Sequence, residues 1–156
     1  MKEYIIKQNG EYYQVIELDT GEIIEEPITF ETNGKPFCVI EIKDEYGNEK
    51  TRFDINENIT VKATLLADIE NEQSIIPLTR EFFTDIVKCP DLETRVAVNT
   101  INVKFTFNNG TGERTFKLPE SGSWYLLSDK FYMVILCFKF NNKIEIVDNI
   151  KLKIGE

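Results

Sequence analysis

The chain has 156 residues, 42% hydrophobic and 29% charged, with 8 Gly and 5 Pro, a profile that fits one folded domain or two small ones and excludes a disordered or collagen-like chain. A formal net charge of −9 without any basic run leaves no footprint for phosphates, so neither nucleic acid nor an anionic membrane surface is an expected partner. Histidine is absent, which removes Ser-His-Asp and Cys-His catalysis and every His-ligated metal site before any motif is sought.

Residues 1–27 read as a β-meander and docking segment. Tyr4-Ile5-Ile6-Lys7 and Tyr12-Tyr13-Gln14-Val15-Ile16 flank Asn9-Gly10, a strong hairpin signal because both turn positions favour positive φ. Asp19-Thr20-Gly21 turns the chain into Glu22-Ile23-Ile24, and Glu25-Glu26-Pro27 breaks the pattern. Three short strands cannot bury this much apolar surface among themselves. Tyr12, Tyr13 and Ile16 are therefore the candidate protein-contact residues, facing the parent domain, a second copy or a neighbouring subunit.

Residues 28–156 read as a β-sandwich domain. Phe37 to Lys43 alternates up to the turn Asp44-Glu45-Tyr46-Gly47-Asn48, and Ile59 to Leu66 sets Ile59, Val61, Ala63 and Leu65 against Thr60, Lys62 and Thr64. Thr79 to Lys88 fits either a helix, from the spacing of Phe82, Phe83, Ile86 and Val87, or a strand, from its β-favouring residues. Strands are expected at Arg95–Val98, Ile101–Phe107, Arg114–Leu118 and Trp124–Leu127. Phe131–Phe140 is the most apolar run and suits a central strand; Ile144–Val147 and Ile150–Ile154 follow. Many short strands and at most one short helix predict a mainly β fold of two packed antiparallel sheets, a β-sandwich.

The chemical motifs are sparse. Cys38, Cys89 and Cys137 are widely spaced with no C-x-x-C, which argues against a disulfide framework or a zinc site; Cys38 and Cys137 sit in apolar runs as core thiols. Asp54-Ile55-Asn56-Glu57-Asn58 opens like a calcium loop, but Ile59 and Leu65 occupy the positions where an EF-hand needs Gly and Glu. The acid is concentrated in residues 1–78, with 17 Asp and Glu against 7 Lys and Arg, compared with 10 against 11 in residues 79–156. Nothing singles out a catalytic carboxylate pair. No catalytic residue, cofactor or metal is expected, and the chain reads as a non-enzyme. Trp124 with Tyr125 is the candidate ligand-stacking pair, since a sugar ring packs on an aromatic face; the alternative use of these residues is in the core.

Residues 98–127, with the Asn109-Gly110 turn and the corner Pro119-Glu120-Ser121-Gly122-Ser123-Trp124, resemble the latter half of immunoglobulin-like sandwich modules in bacteriophage virion proteins. The resemblance implies a structural or assembly protein in a virion or in the host cytoplasm, with other protein subunits, itself included, as partners. The alternative is a binding module for carbohydrate or for a basic host protein. No run approaches the roughly 18 apolar residues of a membrane-spanning helix, and Met1-Lys2-Glu3-Tyr4 carries no signal-peptide core, so secretion by a signal peptide is not expected.

Overall fold

The computed structural model describes residues 2–6, 12–17, 23–27, 35–94, 96–131 and 134–155, with side chains from residue 35 onward. Strands β1 (Lys2–Ile6), β2 (Tyr12–Glu17) and β3 (Ile23–Pro27) form an antiparallel three-stranded sheet in sequence order. Its register pairs Tyr4 with Gln14 and Val15 with Glu25.

Ten further strands make two five-stranded sheets: β4 (Phe37–Lys43), β5 (Arg52–Phe53), β6 (Ile59–Leu66), β7 (Arg80–Lys88), β8 (Asn99–Phe107), β9 (Thr111–Phe116), β10 (Gly122–Leu127), β11 (Ile135–Phe140), β12 (Lys143–Ile146) and β13 (Asn149–Ile154). One sheet runs β5-β13-β10-β7-β8 and the other β12-β11-β4-β6-β9. Alternation decides which side chains meet. Ile40 and Ile42 of β4, Val61 of β6, Ile86 of β7, Phe105 of β8, Trp124 of β10, Leu136 of β11 and Leu152 of β13 belong to one buried cluster that joins both sheets. The domain is mainly β, and the two sheets share a single core as a sandwich.

Three expectations are corrected here. The sheets are mixed, because β11 pairs with β4 and β13 with β5 in parallel. Each parallel pair joins strands far apart in sequence, so no tight hairpin imposes an antiparallel direction. The expected strand at Arg95–Val98 is absent over residues 96–98. Val98 N–H instead closes a loop onto the Lys88 carbonyl, and pairing with β7 starts at Asn99. Finally, Phe131 follows a 3-10 turn at Ser128–Lys130, and the strand expected from there begins at Ile135, in an interior position between β12 and β4.

The ambiguous segment is strand β7. It pairs with β8 over nine residues, from Arg80 opposite Phe107 to Lys88 opposite Asn99. Its apparent helical spacing is two strand faces read together: Phe82 and Ile86 pack with the central core, whereas Val87 joins a separate cluster with Tyr125 and Leu127, and Phe83 is 54% exposed.

Turn chemistry sets two of the connections. Asn109 and Gly110 have φ of 55° and 85°, and Asn141 and Asn142 have 52° and 62°, so both hairpins use two consecutive left-handed residues. Such turns match the right-handed twist of the flanking strands, and Asn tolerates the conformation better than other side chains.

Candidate functional site

Trp124, one half of the candidate stacking pair, is 0% exposed. It lies on β10 opposite Lys88 and Leu152, and its Nε1–H donates to the Glu120 carbonyl at 3.0 Å. This bond ties the Pro119–Trp124 corner to the core, and the ion pair from Lys88 Nζ to Glu120 at 3.0 Å holds it from outside. Tyr125 points to the other side of the sheet at 7% exposure, in a cluster with Val87, Cys89 and Leu127 against which Leu92 packs. A ring with no face in solvent cannot receive a sugar, so the stacking pair is corrected to a packing role. Tyr12, Tyr13 and Ile16 lie on β2, and their side chains fall outside the described residues.

The cysteines also serve packing. Cys38, Cys89 and Cys137 are free and buried. Burial pushes the Cys137 thiol up to about 12, and burial reinforced by Cys137 raises Cys38 further. Neither is a thiolate near neutral pH, so neither is a ready nucleophile.

A cleft of about 160 Å³ opens on the outer face of the β4–β6–β11 sheet, lined by Val39, Glu41, Lys62, Thr64, Glu72 and Lys139, among others. Lys139 Nζ lies 2.6 Å from the Glu72 carboxylate. That hydrogen bond holds Lys139 above the ordinary lysine range despite its desolvation, so it is a fixed cation rather than a base. The pair fastens the connection between β6 and β7 over an apolar cluster of Phe37, Val39, Leu66 and Cys137. Of the polar groups in the cleft wall, Lys139 and Glu72 thereby have a structural role.

The other exposed feature lies in loops. Strand β4 enters the sandwich at Phe37 and leaves at Lys43, and among the described residues the connections at that far end include 44–51, 54–58, 89–94, 96–98, 117–121 and the turn 141–142. They carry four exposed large apolar side chains: Tyr46 at 82%, Ile55 at 47%, Val96 at 63% and Val98 at 59%. In the sequence Tyr46 reads as a turn residue and Ile55 as part of a calcium-loop pattern that fails. The signal that could have found them is an apolar side chain inside a polar turn, where burial is not the default.

The loops are held in place. Asp44 Oδ1 accepts from the backbone N–H groups of Tyr46 and Asn48, each at 2.9 Å. Glu45 accepts from Asn58 Nδ2 at 3.0 Å, Lys50 pairs with Glu57 at 2.8 Å, and Asn56 N–H donates to the Leu118 carbonyl. Within Asp54–Asn58, the Glu57 carboxylate is spent on the Asp54 N–H at 2.8 Å and on Lys50. Among the described residues no three His, Cys, Asp or Glu side chains converge as a metal set.

The backbone hydrogen bond from Asn48 draws the Asp44 carboxyl below its ordinary value; desolvation opposes it, and the bond from Tyr46 adds to the fall. A depressed carboxyl contributes stability that is fully present above its unfolded value of about 3.9 and is lost as pH falls through the lower folded value. Asp44→Ala is therefore expected to lower the melting temperature at pH 7, with the gap to the parent closing in acid below that range. Asp44→Asn, which keeps an acceptor, should fall between the two. A gap independent of pH would show that the charge on Asp44 is not what holds the turn.

No family model matches this chain, and no similar curated protein is found.

Proposed function

We propose that the chain is a non-enzymatic structural or assembly protein, a component of a bacteriophage particle built on an immunoglobulin-like sandwich, which acts by contact with other protein subunits. The observation that carries this reading is the placement of exposed apolar side chains on hydrogen-bonded loops at one end of the sandwich. Apolar residues fixed in solvent on a rigid frame are what a protein interface needs, because little ordering cost remains to be met on binding. Support against a catalytic role comes from the sequence, which has no histidine. It comes also from the cleft, whose Lys139 is held protonated by Glu72. The phage assignment rests on the turn chemistry of residues 98–127.

The test is the protein content of purified particles made by the genome that encodes the chain. A fixed copy ratio to the shell or tail subunits is expected. Absence from particles, with all of the chain free in the lysate, would overturn the reading.

A further inference from the structure

Tyr46 and Ile55 stand on different loops but on one frame. The Asn58–Glu45 and Lys50–Glu57 bonds tie residues 44–50 to residues 54–58. Asn56 N–H bonds the Leu118 carbonyl, and Gly155 N–H bonds the Phe53 carbonyl, so the loop 117–121 and the end of β13 brace the same frame. Tyr46 is thus a large amphipathic side chain on a pre-set turn, the kind of residue that anchors protein interfaces. The surroundings fix the sign of the partner. Residues 44–58 hold Asp44, Glu45, Glu49, Asp54 and Glu57 against Lys50 and Arg52. Lys50 neutralises Glu57, while Glu45, Glu49 and Asp54 form no ion pair among the described residues.

Resting on the contact-module reading above, we infer that this loop tip docks on a basic protein surface with an apolar centre, Tyr46 and Ile55 acting as anchors and the surrounding carboxylates setting orientation and encounter rate. The charge selects among the other occupants. Nucleic acid and anionic lipid are repelled, and a symmetric tip-to-tip pair of this chain sets like charges against each other.

The experiment titrates the isotope-labelled full chain with a synthetic amphipathic Lys/Leu peptide and with its Glu/Leu counterpart, followed by amide NMR. Shifts confined to residues 44–58 and 117–121 are expected with the basic peptide only, and binding should weaken as salt is added. The double variant Tyr46→Ser, Ile55→Ser should bind about tenfold or more weakly, as the loss of interface anchors does. Its melting temperature should be unchanged, because both side chains are exposed.

Absence of binding, shifts elsewhere, equal binding of the acidic peptide, or a double variant that binds like the parent would each overturn the proposal. So would self-association of the parent chain that the double variant abolishes, which would give the tip to a second copy. If the chain is abundant in particles and the peptide result is negative, only the tip assignment fails. If the chain is missing from particles, the assembly reading fails whatever the peptide does.

Discussion

Replacing Trp124 with alanine is expected to lower the unfolding free energy by about 3–5 kcal/mol. The indole is fully buried between β7 and β13, so truncation leaves a cavity that the paired strands cannot close without breaking register. It also deprives the Glu120 carbonyl of its donor. A loss of this size is a large part of the roughly 5–15 kcal/mol that holds a domain together. Urea unfolding followed by circular dichroism would measure it, since the variant has lost its only tryptophan. Trp124→Phe, which keeps most of the ring but not the N–H, should lose less. A Trp124→Ala variant within about 1 kcal/mol of the parent would contradict the core position, because Trp-to-Ala changes in packed interiors cost several times that.

Gly110→Ala is the second large effect, expected at about 3 kcal/mol or more. Part of this is intrinsic, since φ is +85° and an L side chain in the left-handed region costs about 1–2 kcal/mol. The rest is steric. An added Cβ would fall inside the envelope of the Ile76 carbonyl oxygen and 2.7 Å from Ile75 Cγ2. The glycine cannot retreat, because its N–H donates to the Leu78 carbonyl and its own carbonyl accepts from Leu65 N–H, both at 2.9 Å. The β8–β9 turn is thereby locked against β6 and the segment leading into β7. Gly47→Ala separates the two causes, since Gly47 has the same φ of 85° but open space around the added methyl. That variant should show only the φ cost. Thermal unfolding of the pair gives the answer, at roughly 2–4 °C per kcal/mol for a chain of this size. Equal losses in the two variants would mean that the Gly110 turn is not closely packed.

The strands were legible because alternation is a local property. In β6, Ile59, Val61, Ala63 and Leu65 are buried just as their spacing requires. The β8–β9 turn was legible too, since Asn109-Gly110 declares a backbone conformation through two residues. Pairing between distant strands is a different kind of information. Nothing in Phe37–Lys43 or Ile135–Phe140 says that the two run parallel, because that direction is set by where the chain has travelled in between. The same limit hid the loop tip. Tyr46 and Ile55 are separated by strand β5, only two residues long, and their common frame depends on bonds such as Asn58 to Glu45 that no periodicity announces. Trp124 failed as a ligand platform for a related reason: a strand position names two faces, and only the packed sheets decide which one is interior.

The most direct test of a contact role for the tip is site-specific photo-cross-linking in assembled particles. A photoreactive benzophenone amino acid would replace Tyr46 in the full chain, and a control would carry it at Lys62 on the cleft face. The account predicts a covalent adduct from position 46 to another protein, mapped to a peptide rich in Lys or Arg, with little or none from position 62. Adducts from position 62 but not from 46, or an acidic cross-linked peptide, would contradict it.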